Sequence, residues 1–409
     1  MIKVTDKHNC CGCSACVQTC PKQCIAFEED KEGFMYPVVD KDKCVDCHLC
    51  EKVCPVLNKA DAKEPIEIFA AFNKDESIRL KSSSGGIFTI LAEEVIRQGG
   101  VVFGARFDEN WEVCHDYTET VEGLEFFRGS KYVQSRIENS YRKAKEFLNK
   151  GQKVLFSGSP CQIAGLHRYL GKQYDNLLAV DFICHGVPSP KVWRKYLEEI
   201  IKNAYKGTAG KNIVSQSLKV MPEITGINFR DKRAGWKKYS FTVTLAEVTD
   251  EGKQNLVSRS LIFSQDPYMK AFLSDLILRP SCYQCPAKRG RSESDITIAD
   301  WWGVKEYPDK EKIDDDKGLC IVLLNSEKGQ QYFNKFDVAK KTITWDEATP
   351  QNGGFKETLA VHTKRKYFFN KMDKSQSMNG LFINAFKLSL CQRVYGFLGK
   401  ITKRLRIFK

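Results

Sequence analysis

Eight cysteines among the first 54 residues stand in two copies of one pattern: Cys10, Cys13, Cys16 and Cys20 before Pro21, then Cys44, Cys47, Cys50 and Cys54 before Pro55. Each copy reads Cys-x2-Cys-x2-Cys-x3-Cys-Pro, the run in which three thiolates wrap one 4Fe-4S cube and the fourth reaches across to the other. The pattern predicts one cluster held by Cys10, Cys13, Cys16 and Cys54 and a second held by Cys44, Cys47, Cys50 and Cys20. Zinc is the competing chemistry, but zinc ribbons space their ligands as two Cys-x2-Cys pairs, without a third close cysteine or the proline. Cys11 and Cys24 fall outside the pattern and read as packing residues beside the clusters.

Seven cysteines remain, and four of them occupy special settings. Cys161 sits in SGSPCQ at a predicted strand-to-helix turn, Cys184 at a strand end in ICHGVP, and Cys282 with Cys285 forms a Cys-x2-Cys pair in RPSCYQC. Consecutive strand ends of a parallel sheet lie along one edge, so the four thiols are expected to meet there and hold a third 4Fe-4S cluster. Two other readings stand beside it: Cys161 and Cys184 as buried small residues, or a structural zinc that takes His185 as one ligand.

The elements that must position these residues follow from the rest of the chain. At 409 residues with 42% hydrophobic and 28% charged content, the protein is globular and too long for one small module. Seventeen cysteines with no apolar leader in MIKVTDKHN and no apolar run near about 20 residues argue for a cytoplasmic chain with metal-bound thiols rather than disulfides. The net charge of +13 is concentrated in residues 351–409, which carry 13 Lys/Arg against Glu357 and Asp373. The near-neutral body argues against nucleic-acid binding. Residues 58–66 read as a linker. Strand then alternates with helix: IEIFAAFN, IFTILAEEVIRQG, VVFGARF, a basic helix around Ser135–Asn149, KVLFSG, PCQIAGLHRYL, LLAVDFICHG and PKVWRKYLEEIIKNAY. Such alternation predicts a largely parallel sheet with its crevice beyond the strands' carboxyl ends. From about Ser217 three strand-like runs predict an antiparallel insertion, followed by a helix running to Arg279-Pro280 and two returning strands, SDITIADWWG and GLCIVLLN.

The first 57 residues or so resemble bacterial two-cluster ferredoxins, whose work is electron transfer. The ordered motifs KSSSGGIFTIL, GGVVFGARFD, RGSKYVQS, VLFSGSPCQIAGL, VDFICHGVPSP, RPSCYQC and SDITIADWWG, spanning about residues 66–305, resemble the coenzyme F-420 hydrogenase beta subunit family. That resemblance implies an iron-sulfur flavoprotein with bound FAD. Ser82, Ser83, Ser84, Gly85 and Gly86 precede a helix, where hydroxyls and N–H groups would meet a pyrophosphate, although such a stretch also serves as a plain helix cap. Lys131 and Gln134 would place a charge and an amide by the flavin, and Gly158, Pro160 and Gln162 would bring it beside Cys161. His185 is the candidate proton donor to substrate, with a structural role as the alternative. Asp300, Arg233 and Trp236 are lesser candidates at the substrate mouth.

The fold class expected is α+β and multidomain. Residues 1–57 form a two-cluster ferredoxin fold, 66–345 an α/β flavin-binding domain with an antiparallel β insertion, and 346–409 a basic extension with a helical tail. The function expected is an oxidoreductase that passes electrons from a redox partner, such as a ferredoxin or another reductase, through the clusters and FAD to a small molecule or a deazaflavin. A non-catalytic electron-transfer subunit is the alternative. In the tail, Ile383, Phe386, Leu390, Val394, Phe397, Ile401, Leu405 and Phe408 recur at helical steps among basic residues. This stripe would lie on the cytoplasmic face of a membrane or dock on the protein's own core.

Overall fold

The computed structural model describes residues 1–205, 221–248, 254–310 and 313–387. At the N terminus the two cysteine runs fold alike. Gly12 and Asp46, each two residues after the first cysteine of its run, have φ of 72° and 49°, and Ser14 and His48, four residues after it, have φ of 62° and 57°. Short helices follow at equivalent places, α1 (Ala15–Thr19) and α2 (Leu49–Lys52). Left-handed residues set into such a loop turn successive N–H groups inward, a concavity suited to an anionic group. Between the runs, β1 (Ile25–Glu29) and β2 (Met35–Val39) pair as an antiparallel hairpin.

The main sheet has eight strands: β3 (Glu67–Phe72), β4 (Val101–Phe107), β5 (Val113–Thr118), β6 (Val154–Ser157), β7 (Leu177–Phe182) and, after an insertion, β11 (Ile296–Asp300), β12 (Cys320–Leu324) and β13 (Ala339–Thr342), in the order β13-β3-β12-β11-β7-β6-β4-β5. The middle strands β4, β6, β7 and β11 are parallel. All the outer pairings are antiparallel, so the largely parallel sheet expected from the alternation is a mixed one. Strand β5 and the edge strand β13 escaped the sequence reading: VCHDYT and AKKT are too polar to register as buried strands. The central strands are mostly apolar because helices cover both faces. On one face Leu91 and Val95 of the helix Ile87–Arg97 and Phe333 pack on Val102, Leu155 and Leu178. On the other, helices Ser140–Asn149 and Pro160–Leu170 pack on Phe103, Phe156 and Ala179 together with Cys11, Cys13, Ala15 and Val53. The cysteine module therefore shares a core with the sheet.

The insertion is a three-stranded antiparallel sheet of β8 (Glu223–Asp231), β9 (Ser240–Val248) and β10 (Gln254–Ile262), with β9 in the middle. Phe229, Phe241 and Leu245 join Trp193 and Tyr196 of the helix Pro190–Tyr205 in a further core. The helix expected to run to Arg279 covers only Pro267–Leu273; Asp275, with φ of 63°, ends it. The basic helix around Ser135 begins only at Ser140. Helices Arg365–Met372 and Met378–Phe386 add Phe368, Leu381, Phe382 and Ala385 to the core around Trp193, while Ile383 stays exposed. The described start of the tail thus docks on the protein itself; the tail positions from Leu390 onward lie outside the described residues. Among the described residues no helix is long and apolar enough to cross a membrane.

Candidate iron-sulfur and flavin site

A pocket at the outer end of the module is lined by Cys20, Cys24, Cys44, Cys47 and Cys50 with Ile25 and Val39. The four thiols assigned to the second cluster thus ring one space, and Cys47 is exposed to solvent. The Ile2 N–H donates to Cys50 Sγ at 3.3 Å, and Cys24 Sγ lies 3.4 Å from Cys20 Sγ. The thiols assigned to the first cluster meet deeper inside: Cys16 interacts with Cys10 and Cys54, and Cys13 with Cys16 and Cys54. Burial first, then the neighbouring thiolates, pushes Cys16 well above the ordinary thiol range.

Cys161, Cys184, Cys282 and Cys285, drawn from three separate segments, are brought within electrostatic reach of one another. The capping box of Ser159 and Gln162, with Pro160 at the first helical position, starts the helix that carries Cys161. Cys184 lies just beyond the end of β7, which stops at Phe182. Cys282 and Cys285 sit on the short helical turn Pro280–Gln284 and its cap. All four keep partial accessible surface. Burial raises Cys184 and Cys285, and pushes Cys282 up to about 12. Bare thiolates crowded in this way repel one another, so both cysteine sets fit a group that brings cationic iron in exchange for thiol protons. Among the described residues no three His, Cys, Asp or Glu side chains are set to hold a metal ion as they stand.

The two sets touch through a residue that sequence spacing passed over. Cys11 is buried and packs in one cluster with Cys13 and Cys161. This approach depends on Gly165, where a Cβ would meet Cys13 Cβ at 2.9 Å and Sγ at 3.0 Å.

The residues proposed for the flavin fall into two groups, one around Ser83, Ser130 and Lys131 and one beside Cys161. Ser83 Oγ accepts from the Ser130 N–H at 2.6 Å and its hydroxyl at 2.9 Å, and next to Ser130 the Lys131 ammonium donates to the carbonyls of Phe127, Arg128 and Gly129. Burial pushes Lys131 down to about 7. A desolvated ammonium solvated only by carbonyls fits the anionic part of a dinucleotide. Ser82 and Ser84 donate to the carbonyls of Ile78 and Leu319, the Gly85 N–H to Cys320 Sγ, and Gly86 caps the following helix. Gln162 accepts from the Ser159 N–H and hydroxyl at 2.9 Å and donates to Ser135 Oγ at 2.9 Å. Beside Gly158, buried His115 contacts the Ser157 carbonyl and the Ser135 hydroxyl; burial pushes it down to about 4, so it is neutral at working pH. His115 stands on β5, a strand whose polar pattern hid it.

Gln134 belongs to neither group: its amide donates to the Cys11 carbonyl at 3.3 Å and accepts from Arg279 at 3.0 Å. His185 Nε2 lies 2.8 Å from Asp275 Oδ1, close enough for an ion pair when protonated but misaligned for a hydrogen bond, and its ring meets Phe272 edge-on. Asp300 accepts from Arg230 and from Trp236 Nε1, whereas Arg233 is at the surface on Asp231.

Residues 9–58 match the family described as 4Fe-4S dicluster domain, and residues 151–350 match the family described as the C terminus of the coenzyme F420 hydrogenase/dehydrogenase beta subunit. The solved structure described as xenon derivatization of the F420-reducing [NiFe] hydrogenase complex from Methanosarcina barkeri contains a similar chain. The identity is 19% over 77% of this chain and 95% of that one, with a TM-score of 0.43. No curated protein matches.

Proposed function

On the premise that residues 151–350 match the C terminus of the coenzyme F420 hydrogenase/dehydrogenase beta subunit and residues 9–58 a 4Fe-4S dicluster domain, we propose a reductase that conducts electrons inward from its surface. Cys20, Cys44, Cys47 and Cys50 would hold the cluster that accepts single electrons from a protein donor, a ferredoxin or another reductase, Cys47 being exposed there. Cys10, Cys13, Cys16 and Cys54 would hold the next cluster, and Cys161, Cys184, Cys282 and Cys285 a third. FAD, when bound, supplies the exchange between single electrons and electron pairs needed to reduce a small molecule or a deazaflavin.

The chain's own residues have separable tasks. Ser83, Ser130 and Lys131 bind and orient the anionic part of FAD; neutral His115 and the capped Gln162 wall the space beside Gly158 and Cys161. His185, next to Cys184, holds the proton delivered to substrate, with Asp275 as its counter-charge.

The observation that carries this reading is the packing of Cys11 in one cluster with Cys13 and Cys161, which sets the two groups of thiols side by side. Iron, sulfide and flavin analysis of anaerobically purified protein tests it. The expected content is about twelve irons per chain for three cubes, with one FAD. About eight irons would remove the inner cluster, and absence of flavin would remove the reductase. Flavin reduced by the donor but never reoxidised by a small molecule would make the chain a relay subunit.

A further inference from the structure

Arg279 is fully buried. A guanidinium in that position normally faces a carboxylate, because an unpaired charge in a low-dielectric interior costs several kcal/mol. The ionisable groups acting most strongly on Arg279 are instead Cys10, Tyr36, Cys11 and Cys282. Its hydrogen bonds run the same way: Nε donates to the Cys10 carbonyl at 2.8 Å, one terminal nitrogen to Gln134 Oε1 at 3.0 Å, and the other to the Met35 carbonyl at 2.9 Å and to Cys10 Sγ at 3.6 Å. The Tyr36 ring lies against it, 4.3 Å away. The loop of the first cysteine run is shaped around this side chain. At Gly12, with φ of 72°, a Cβ would meet Gln134 Nε2 at 2.6 Å and an Arg279 terminal nitrogen at 3.0 Å. Three residues on in the chain comes Cys282, of the inner set.

We infer that Arg279 is a positioning residue that sets the reduction potentials of both the first cluster and the inner cluster, its charge being balanced by the clusters themselves. Each added electron makes a cluster more negative without needing a proton, and a fixed cation in a dry setting stabilises that state. The side chain therefore raises both potentials relative to the outer cluster, whose Cys47 is open to solvent, and draws electrons inward.

This inference rests on the cluster assignment proposed above, and the experiment separates the two. Full-length wild type, Arg279→Gln, Arg279→Lys and Gln134→Glu are purified anaerobically, analysed for iron and sulfide, and titrated potentiometrically with visible and electron paramagnetic resonance detection. In Arg279→Gln the midpoints of the first and inner clusters are expected to move to more negative potential, with the outer cluster unmoved as an internal control. The shift persists at high salt, since a buried charge is poorly screened. Arg279→Lys restores most of it. Gln134→Glu sets a carboxylate against the guanidinium and moves the same midpoints in the same direction; it decides the matter if Arg279→Gln fails to retain iron. Full iron with unmoved midpoints overturns the inference, as does an Arg279→Lys shift as large as that of Arg279→Gln. A wild-type chain without iron would instead end the cluster assignment.

Discussion

The outer and inner cysteine sites are built in opposite ways. At the outer site, Cys44, Cys47 and Cys50 come from one short loop and only Cys20 is brought in from the other run, and the site opens to solvent at Cys47. The inner site draws Cys161, Cys184 and the Cys282–Cys285 pair from a helix start, a strand end and a helical turn, and it exists only when β6, β7 and the segment before β11 are in place. A site made by one loop is organised by local backbone geometry, here the left-handed residues Asp46 and His48. A site made by distant segments is organised by the core beneath it. The first suits exchange with a changing partner at the surface; the second suits fixed delivery inside the protein.

Removing one inner ligand gives the largest test of this contrast. Cys282→Ser is expected to lower iron by about four per chain and to stop flavin reduction, while the spectroscopic signals of the two module clusters persist. Unchanged iron content would refute the ligand assignment.

The next effect concerns the flavin end of the path. Lys131→Met removes a charge-assisted interaction worth roughly 1.5–3 kcal/mol, so FAD affinity is expected to fall about 10- to 100-fold, measured by flavin rebinding to the deflavinated protein. Module iron should not change. Equal affinity in the variant would place the anionic part of the dinucleotide elsewhere.

The seam between the two regions responds more mildly. Gly165→Ala forces a Cβ against Cys13, and such overpacking costs about 1–3 kcal/mol. A lower denaturation midpoint with early loss of iron from the first cluster is expected; wild-type stability would show that the module is free to move away from its helix.

The smallest effect is a pH slope. Lys131 titrates at about 7 in the folded chain against an ordinary value of 10.5. Between those values the unfolded chain binds a proton that the folded chain does not, so stability of the flavin-free protein rises as pH is raised from about 7 towards 10.5. Below about 7 both states are protonated and the cost of the buried charge is fully present. Melting temperatures across this range should show the Lys131 contribution as a difference from Lys131→Met, and flavin, which brings a counter-charge, should flatten it. Identical slopes in the two proteins would mean that Lys131 is not desolvated.

Sequence spacing alone made the module's chemistry legible, because each run holds three of a cluster's four ligands within one loop whose geometry the intervening residues dictate. The apolar runs at Val154–Ser157 and Leu177–Phe182 and the cap signals around Ser159 were legible for the same local reason. Tertiary structure decided which thiol joins the two sets, which side of the sheet carries the module, and what balances Arg279. Cys11 adjoins Cys10 and fits no ligand spacing, and its contact with Cys161 crosses 150 positions. Arg279 lies in RPSCYQC like any arginine before a cysteine pair, until folding sets it against Cys10, 269 positions away. Spacing encodes what a loop can wrap, whereas a burial without a counter-charge exists only once separate elements have closed around it.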